Sequence, residues 1–320
     1  MQTSCRCTAA AEPRAGAAAA PARDADAVGA VIDVHQHVVR FDSLKPPVDV
    51  WAPPRVAGVP LDDIYADGTP DPQRYLAHLD DQGIDVALLM AEYSPRVTGT
   101  QPIEDMLPLV NADPSRIGVI AALNPHLHFP LVPELERQLA LGAMAVKLHP
   151  VHGGFAPDRS DLYPVYARCE ERQIAVVFHC GTSNFPGASN QYADPALLAP
   201  VIRDFPYLDL VLAHGGRGWS YDAAAWWALT YDNVWIELSG LPPKRLPDYY
   251  RSVGFERLAP KCIFGSDFPA IPGLRANVDA LGGLGLDAEV LERVLWRNAH
   301  DVYRLDRVPE MSARVTTIAG

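Results

Sequence analysis

Short aliphatic runs of strand length recur along the chain, and between several of them lie stretches whose apolar residues fall at helical spacing. The runs are VIDVHQHVV (31–39), IDVALLM (84–90), IGVIAAL (117–123), AMAVKLH (143–149), IAVVFHC (174–180), LDLVLAH (208–214), NVWIELSG (233–240) and KCIFGSDF (261–268). Helical candidates include PQRYLAHLDDQG (72–83), PELERQLALG (133–142), LYPVYARCEERQ (162–173) and DPALLAPVIRDF (194–205). After the first crossover, strand starts are about 25 to 34 residues apart, the length of one βαβ unit. Eight such units predict one closed (β/α)8 TIM barrel over residues 31–320; such barrels typically run to ~250 residues. No Gly-x-Gly-x-x-Gly follows the first strand, which weakens the case for an open dinucleotide-binding sheet.

Residues 1–30 are rich in Ala, Arg and Pro and have no apolar periodicity, so they predict a disordered tail. Its longest apolar stretch, Ala17 to Ala20, is too short for a secretory signal. No segment approaches the roughly 20 apolar residues of a membrane helix, and the expected location is the cytoplasm. The 320 residues are 48% hydrophobic, enough for one large core. A net charge of -12 without clustered Lys and Arg argues against nucleic acid and anionic membranes as partners, leaving a small-molecule substrate. Five cysteines at irregular spacing do not make a disulfide framework. Cys5 and Cys7 read as an incidental pair, and Cys169, Cys180 and Cys262 as packing residues.

In a (β/α)8 barrel, catalytic groups sit at the carboxyl ends of the strands. Here those ends carry His35 and His37 (strand 1), Lys147 and His149 (strand 4), His179 (strand 5), His214 (strand 6) and Asp267 (strand 8). Residues i and i+2 of a strand share a face, so His35 and His37 project together. Closure of strand 8 on strand 1 would bring Asp267 beside them, and His179 would reach across from strand 5. Three imidazoles and a carboxylate suit Zn²⁺ or another divalent first-row ion, with one position left for water or substrate.

That order of residues, with the phrases AVKLHPVHGGF, VVFHCGT, LVLAHGG and IFGSDFP, resembles the amidohydrolase superfamily. It is most similar to the amidohydrolase-related branch, which holds aminocarboxymuconate semialdehyde decarboxylase, resorcylate-type decarboxylases and lactone or amide hydrolases. The likeness covers about residues 30 to 306 and ends in LERVLWRNAHDVYRL, similar to the branch's closing helix. It implies metal ligation by His35, His37, His179 and Asp267, with His214 as the acid/base or electrophilic histidine. It implies one ion, Zn²⁺ first and Mn²⁺ as the alternative. A binuclear site bridged by a carboxylated Lys147, known elsewhere in the superfamily, is the lesser expectation; Lys147 otherwise supplies a positive charge at the barrel mouth. Branch members are often homodimers, and the same is expected here.

A divalent ion lowers the pKa of a water from about 15.7 toward 7 and polarises a carbonyl. Asp267 would then take the water's proton, and His214 would polarise the carbonyl or protonate the leaving group. This predicts hydrolysis of an ester, lactone or amide of a small carboxylate-bearing substrate. Non-oxidative decarboxylation of an aromatic or unsaturated acid uses the same ligands and is the alternative; a catalytically silent metal-binding scaffold is a third reading.

Substrate contacts are expected from Tyr93, His152, Asn184, Arg217 and Trp219, with Arg96 on the same face and Arg217 as the anion-binding group. The Pro-rich connection 39–71 is long enough to act as a lid through Phe41 and Trp51. His149 is expected to hydrogen-bond to ligands. His78 reads as a solvated or helix-face residue, His126 and His128 as loop residues, and Trp226 and Trp227 as packing against the barrel.

Overall fold

Aliphatic runs with few charges fit strands covered on both faces. In the computed structural model, which describes residues 29–45, 55–56, 59–60, 63–269 and 273–319, they form one eight-stranded parallel sheet. Its strands are β1 (Ile32–Gln36), β2 (Val86–Met90), β3 (Ile117–Leu123), β4 (Ala143–Leu148), β5 (Val176–Gly181), β6 (Leu210–Arg217), β7 (Val234–Glu237) and β8 (Cys262–Ile263). Each pairs with its sequence neighbour. The ring closes where Gln36 bridges Phe268 in parallel, the His37 N–H donates to the Phe268 carbonyl (2.7 Å) and the Asp267 N–H donates to the His35 carbonyl (2.9 Å). The protein is therefore a TIM barrel.

Strand alternation divides the core in two. Ile32, Val34, Val86, Leu88, Met90, Ala145, Val177 and Val211 form an inner cluster with Met311 and Val315 of the C-terminal helix. Ala87, Leu89, Val146, Phe178 and Leu212 instead join the outer cluster, with Tyr75 and Leu79 of α1 (Pro72–Gln82) and Leu135 of α2 (Leu131–Ala140). Local signals set α1: Asp71 accepts from the Arg74 N–H, proline occupies the first turn, and Gly83 ends the helix at φ 67°.

The end strands are shorter than their apolar runs. β1 has an irregularity in register between Asp33 and Gln36, and β8 keeps regular pairing only over Cys262 and Ile263. Both irregular stretches lie toward the carboxyl ends of the strands, and a bulge re-aims side chains. Inward Val34 is followed by His35, which also faces the cavity described below.

The long first connection contains two antiparallel pairs, Arg55–Val56 with Val59–Pro60 and Tyr65–Ala66 with Thr69–Pro70. Phe41 stacks on Tyr65 at 4.6 Å between centroids, while Trp51, Cys5, Cys7 and the tail through residue 28 lie outside the described residues. Cys169, Cys180 and Cys262 are free and buried. Trp227 packs on the outer cluster, but Trp226 is 53% exposed. No described helix is long and apolar enough to cross a membrane.

His78 departs from the expectation of a solvated residue: it is buried, its ring 5.2 Å from that of Phe268. Burial lowers its pKa to about 4. The unfolded chain protonates this residue near 6.5, before the folded one does, so folding loses stability as pH falls from about 6.5 toward 4. A His78→Leu variant should lose less thermal stability than the parent between pH 7.5 and pH 5. Equal losses in a paired melting experiment would show that this histidine does not contribute.

Candidate metal centre and active site

The carboxyl ends of the strands enclose a cavity of about 520 Å³, including its open mouth, lined by His35, His37, Lys147, His179, His214 and Asp267 among others. Closure of the barrel has set Asp267 against the β1 histidines. His35 Nε2 lies 3.1 Å from His37 Nε2, and Asp267 Oδ1 lies 3.6 and 3.7 Å from those two nitrogens. These three groups could hold a metal ion.

The buried environment makes them good donors. Desolvation, helped by Lys147 and His37, holds His35 well below the usual histidine range, and burial lowers His37 as well. Both rings therefore keep a lone pair at neutral pH. Glu237, fully buried, touches His35 Nδ1 at 2.5 Å. Burial pushes Glu237 up to about 8, so the two groups contend for one proton. Positive charge at Nε2 would favour Nδ1–H against a Glu237 carboxylate, the arrangement that leaves the Nε2 lone pair free to ligate.

His214 and Asp267 both adopt the left-handed backbone region, at φ 67° and 70°. Non-glycine residues pay for that conformation with strain, which concentrates at functional sites. The Ser239 carbonyl lies 2.9 Å from His214 Nδ1, so Nδ1 carries the proton and Nε2 is an acceptor. Burial, then the charge of Arg217, holds His214 well below the usual range. In this state His214 accepts a proton before it can donate one. Asp267 Oδ2 faces Arg217 Nη1 at 3.6 Å and His214 Nδ1 at 3.9 Å. A side chain on Gly240 (φ 66°) would place its Cβ 2.5 Å from Arg217 Nη1 and 2.7 Å from Asp267 Oδ2, so that position needs glycine twice over.

Three comparisons bear on this site. The amidohydrolase family profile matches residues 32–305. The chain belongs to the amidohydrolase family. None of the curated protein sequences matches it. Similar solved structures include an uncharacterised TIM-barrel protein from Bordetella bronchiseptica (TM-score 0.64, 19% identity, 89% of this chain and 100% of that one). Another is a probable 2-pyrone-4,6-dicarboxylic acid hydrolase from Acinetobacter baumannii, with citric acid bound (0.59, 19%, 86% and 99%). A third is 5-carboxyvanillate decarboxylase from Novosphingobium aromaticivorans, complexed with manganese and 4-hydroxy-3-methoxy-5-nitrobenzoic acid (0.59, 17%, 88% and 97%). At these identities the likeness shows the fold.

In this amidohydrolase-family chain, the expected residues converge unevenly. His179 lines the cavity but lies outside the His35–His37–Asp267 cluster. Its Nε2 is 3.1 Å from the Gly181 carbonyl, a contact it must give up to ligate through that nitrogen. Its ring stacks on His149 at 4.0 Å and meets His214 edge-on at 4.4 Å. His149 does not hydrogen-bond to a predicted ligand; its Nδ1 accepts the His152 N–H. Lys147 is buried, its Nζ has no hydrogen-bond partner among the described residues, and burial lowers its pKa against the pull of Glu237, Asp267 and Glu92. Arg217 and His152 line the cavity.

Tyr93, Asn184 and Trp219 are not among its lining residues. Period-two alternation explains Tyr93: Glu92 turns inward, and Tyr93 packs edge-on to His128. Ser183 and Phe185 line the cavity on either side of exposed Asn184. Trp219 is 65% exposed. Arg96 is likewise absent from the lining, whereas His126 and His128 are held in hydrogen bonds around Asn124, as loop residues should be.

Glu92, Thr98, Ser183 and Glu237 are the contributors that strand-end reasoning passed over. Glu92 stands two residues past the apolar run of strand 2, after Ala91, and Glu237 is the one charge in NVWIELSG, so both signals were present. Burial alone would raise Glu92, but the hydrogen bond and charge of His152, with His37 and Thr98, hold it at about 2.

Replacing Glu237 with Gln should weaken zinc or manganese binding by about 10–100-fold, the range for groups that orient a ligating histidine. Competition against a metal indicator would measure it; unchanged affinity would remove Glu237 from that role.

Proposed function

We propose that this chain is a metal-dependent hydrolase that cleaves an ester, lactone or amide of a small carboxylate-bearing substrate. The observation that carries the reading is the placement of Asp267, one oxygen toward the histidine pair and the other toward Arg217 and His214. His35, His37 and Asp267 would hold one divalent ion, zinc first and manganese second, with His179 as a fourth ligand once it leaves the Gly181 carbonyl. Bound there, the ion supplies an acidified water and polarises a carbonyl.

The residues divide the remaining work. Asp267 accepts the water's proton. His214, neutral with a free Nε2, takes up a proton and passes it to the leaving oxygen or nitrogen. Arg217, part-buried beside Asp267, binds the substrate's carboxylate. Lys147 adds a second positive group in the same cavity.

Non-oxidative decarboxylation is the second reading, supported by the likeness to the manganese-bound 5-carboxyvanillate decarboxylase. Here Arg217 and Lys147 would hold carboxylate and hydroxyl oxygens, while Asp267 or His214 delivers the proton that replaces CO₂.

Loading the purified protein with zinc or manganese and screening lactones, esters and amides against hydroxybenzoates separates the two. Acid release by pH-stat without CO₂ is expected; CO₂ release without acid would overturn hydrolysis in favour of decarboxylation. His214→Ala should retain its metal and lose about 10²–10⁴-fold in kcat, the usual range for an acid/base group. Undiminished kcat would exclude His214 from proton transfer.

A further inference from the structure

The wall of the same cavity carries a hydrogen-bonded chain that the metal-dependent reading leaves unused. His152 Nδ1 lies 2.9 Å from Glu92 Oε1, and His152 Nε2 lies 2.8 Å from Ser183 Oγ. All three residues are buried, at 4–5% exposure, and all three line the cavity.

The chemistry of the partners fixes the direction of the chain. Glu92 is ionised at neutral pH, and its carboxylate only accepts, so the proton sits on His152 Nδ1. With His152 neutral, the state the reaction uses, Nε2 is a lone pair and the Ser183 hydroxyl donates to it. A nucleophile, a base and a carboxylate that orients the base follow one another, the arrangement by which hydroxyl nucleophiles are activated on unrelated folds. Thr98 Oγ1 donates to the same Glu92 oxygen at 2.6 Å and fixes the carboxylate. Asn190 clamps the Ser183 backbone from both sides: its Oδ1 accepts the Ser183 N–H and its Nδ2 donates to the Ser183 carbonyl. The Phe185 N–H makes a long 3.3 Å contact with Ser183 Oγ.

Glu92 and His152, together with His149, also satisfy the spacing for a metal ion. Their hydrogen bonds argue otherwise. Both nitrogens of His152 are engaged, and His149 Nδ1 already accepts the His152 N–H. A cation there would have to break the chain that the fold has built.

We propose that Ser183, His152 and Glu92 form a second reactive centre, a serine nucleophile that accepts acyl groups from esters without a metal. Ser183 Oγ bonds to the carbonyl carbon as its proton passes to His152 Nε2. The bond to the alkoxy oxygen then breaks, and His152 returns the proton to that leaving alcohol. Water attacks the acyl-serine, gives a proton to His152, and releases the carboxylic acid while Ser183 regains its hydrogen. Lys147 Nζ, buried in the same cavity without a hydrogen-bond partner among the described residues, is a cation available to the developing oxyanion.

The test uses full-length protein stripped of metal with a chelator, so its outcome is independent of the metal-dependent activity. A fluorophosphonate probe loses fluoride to an activated serine, and peptide mass mapping locates the adduct. An adduct on Ser183 of the chelated wild type, formed about 10²-fold more slowly in His152→Gln or Glu92→Gln, is the expected result. p-Nitrophenyl acetate should give a burst of p-nitrophenolate that Ser183→Ala abolishes. No adduct on Ser183 of the chelated wild type would overturn the proposal without any variant, and so would labelling as fast in a folded His152→Gln as in the parent.

Discussion

Parallel pairing between the first and last strands is the constraint on which the site rests. The peptide hydrogen bonds His37–Phe268 and Asp267–His35 close the ring and in the same act bring a carboxylate from residue 267 against imidazoles from residues 35 and 37. Little else in the fold could do so, because these residues are separated by most of the chain. Both strands lose regularity at this point, and Asp267 takes a left-handed backbone conformation there. The seam is thus where backbone regularity gives way to side-chain placement.

Burial gives the assembled groups their chemical character. Imidazoles that would titrate near neutrality in water are held neutral around the cavity, so their lone pairs are available to a ligand or a proton. Carboxylates diverge according to their partners: burial lifts Glu237, whereas His152 and Thr98 keep Glu92 charged. Two carboxylates with opposite shifts, Glu237 buried against His35 and Glu92 in the cavity lining, support different histidines, His35 and His152. In the proposed reading, the first presents its lone pair to a metal and the second serves a hydroxyl.

Arg217 illustrates how specificity can be built at this mouth. It lies beside Asp267, donates to the Thr182 carbonyl at 3.3 Å, and is kept in place by glycines whose Cβ atoms would collide with it. Gly240 leaves room for the guanidinium and Gly181 for the Arg217 backbone and Cβ, while exposed Trp219 stands outside the lining. Of the side chains expected to meet a substrate, Arg217 and His152 line the cavity, beside Lys147.

Much of the architecture was legible in the residue order, because period-two burial and crossover length are local properties that repeated βα units print along the chain. Eight runs, the helical candidate at 72–83 and the cluster of His, Lys and Asp at strand ends all follow from nearest-neighbour chemistry. Glu92 near a strand end and Glu237 as an isolated charge were passed over, since neither announces its partner. Tertiary structure decided the rest: that His179 turns to the Gly181 carbonyl, that His78 is buried against Phe268, and that Ser183, past the fifth strand, meets His152 in the short helix Pro150–Gly153. Those facts depend on how strands are registered and where bulges fall. A single sequence reports which groups a strand carries, but side-chain direction beyond the ladder is set only when distant backbone segments close on one another.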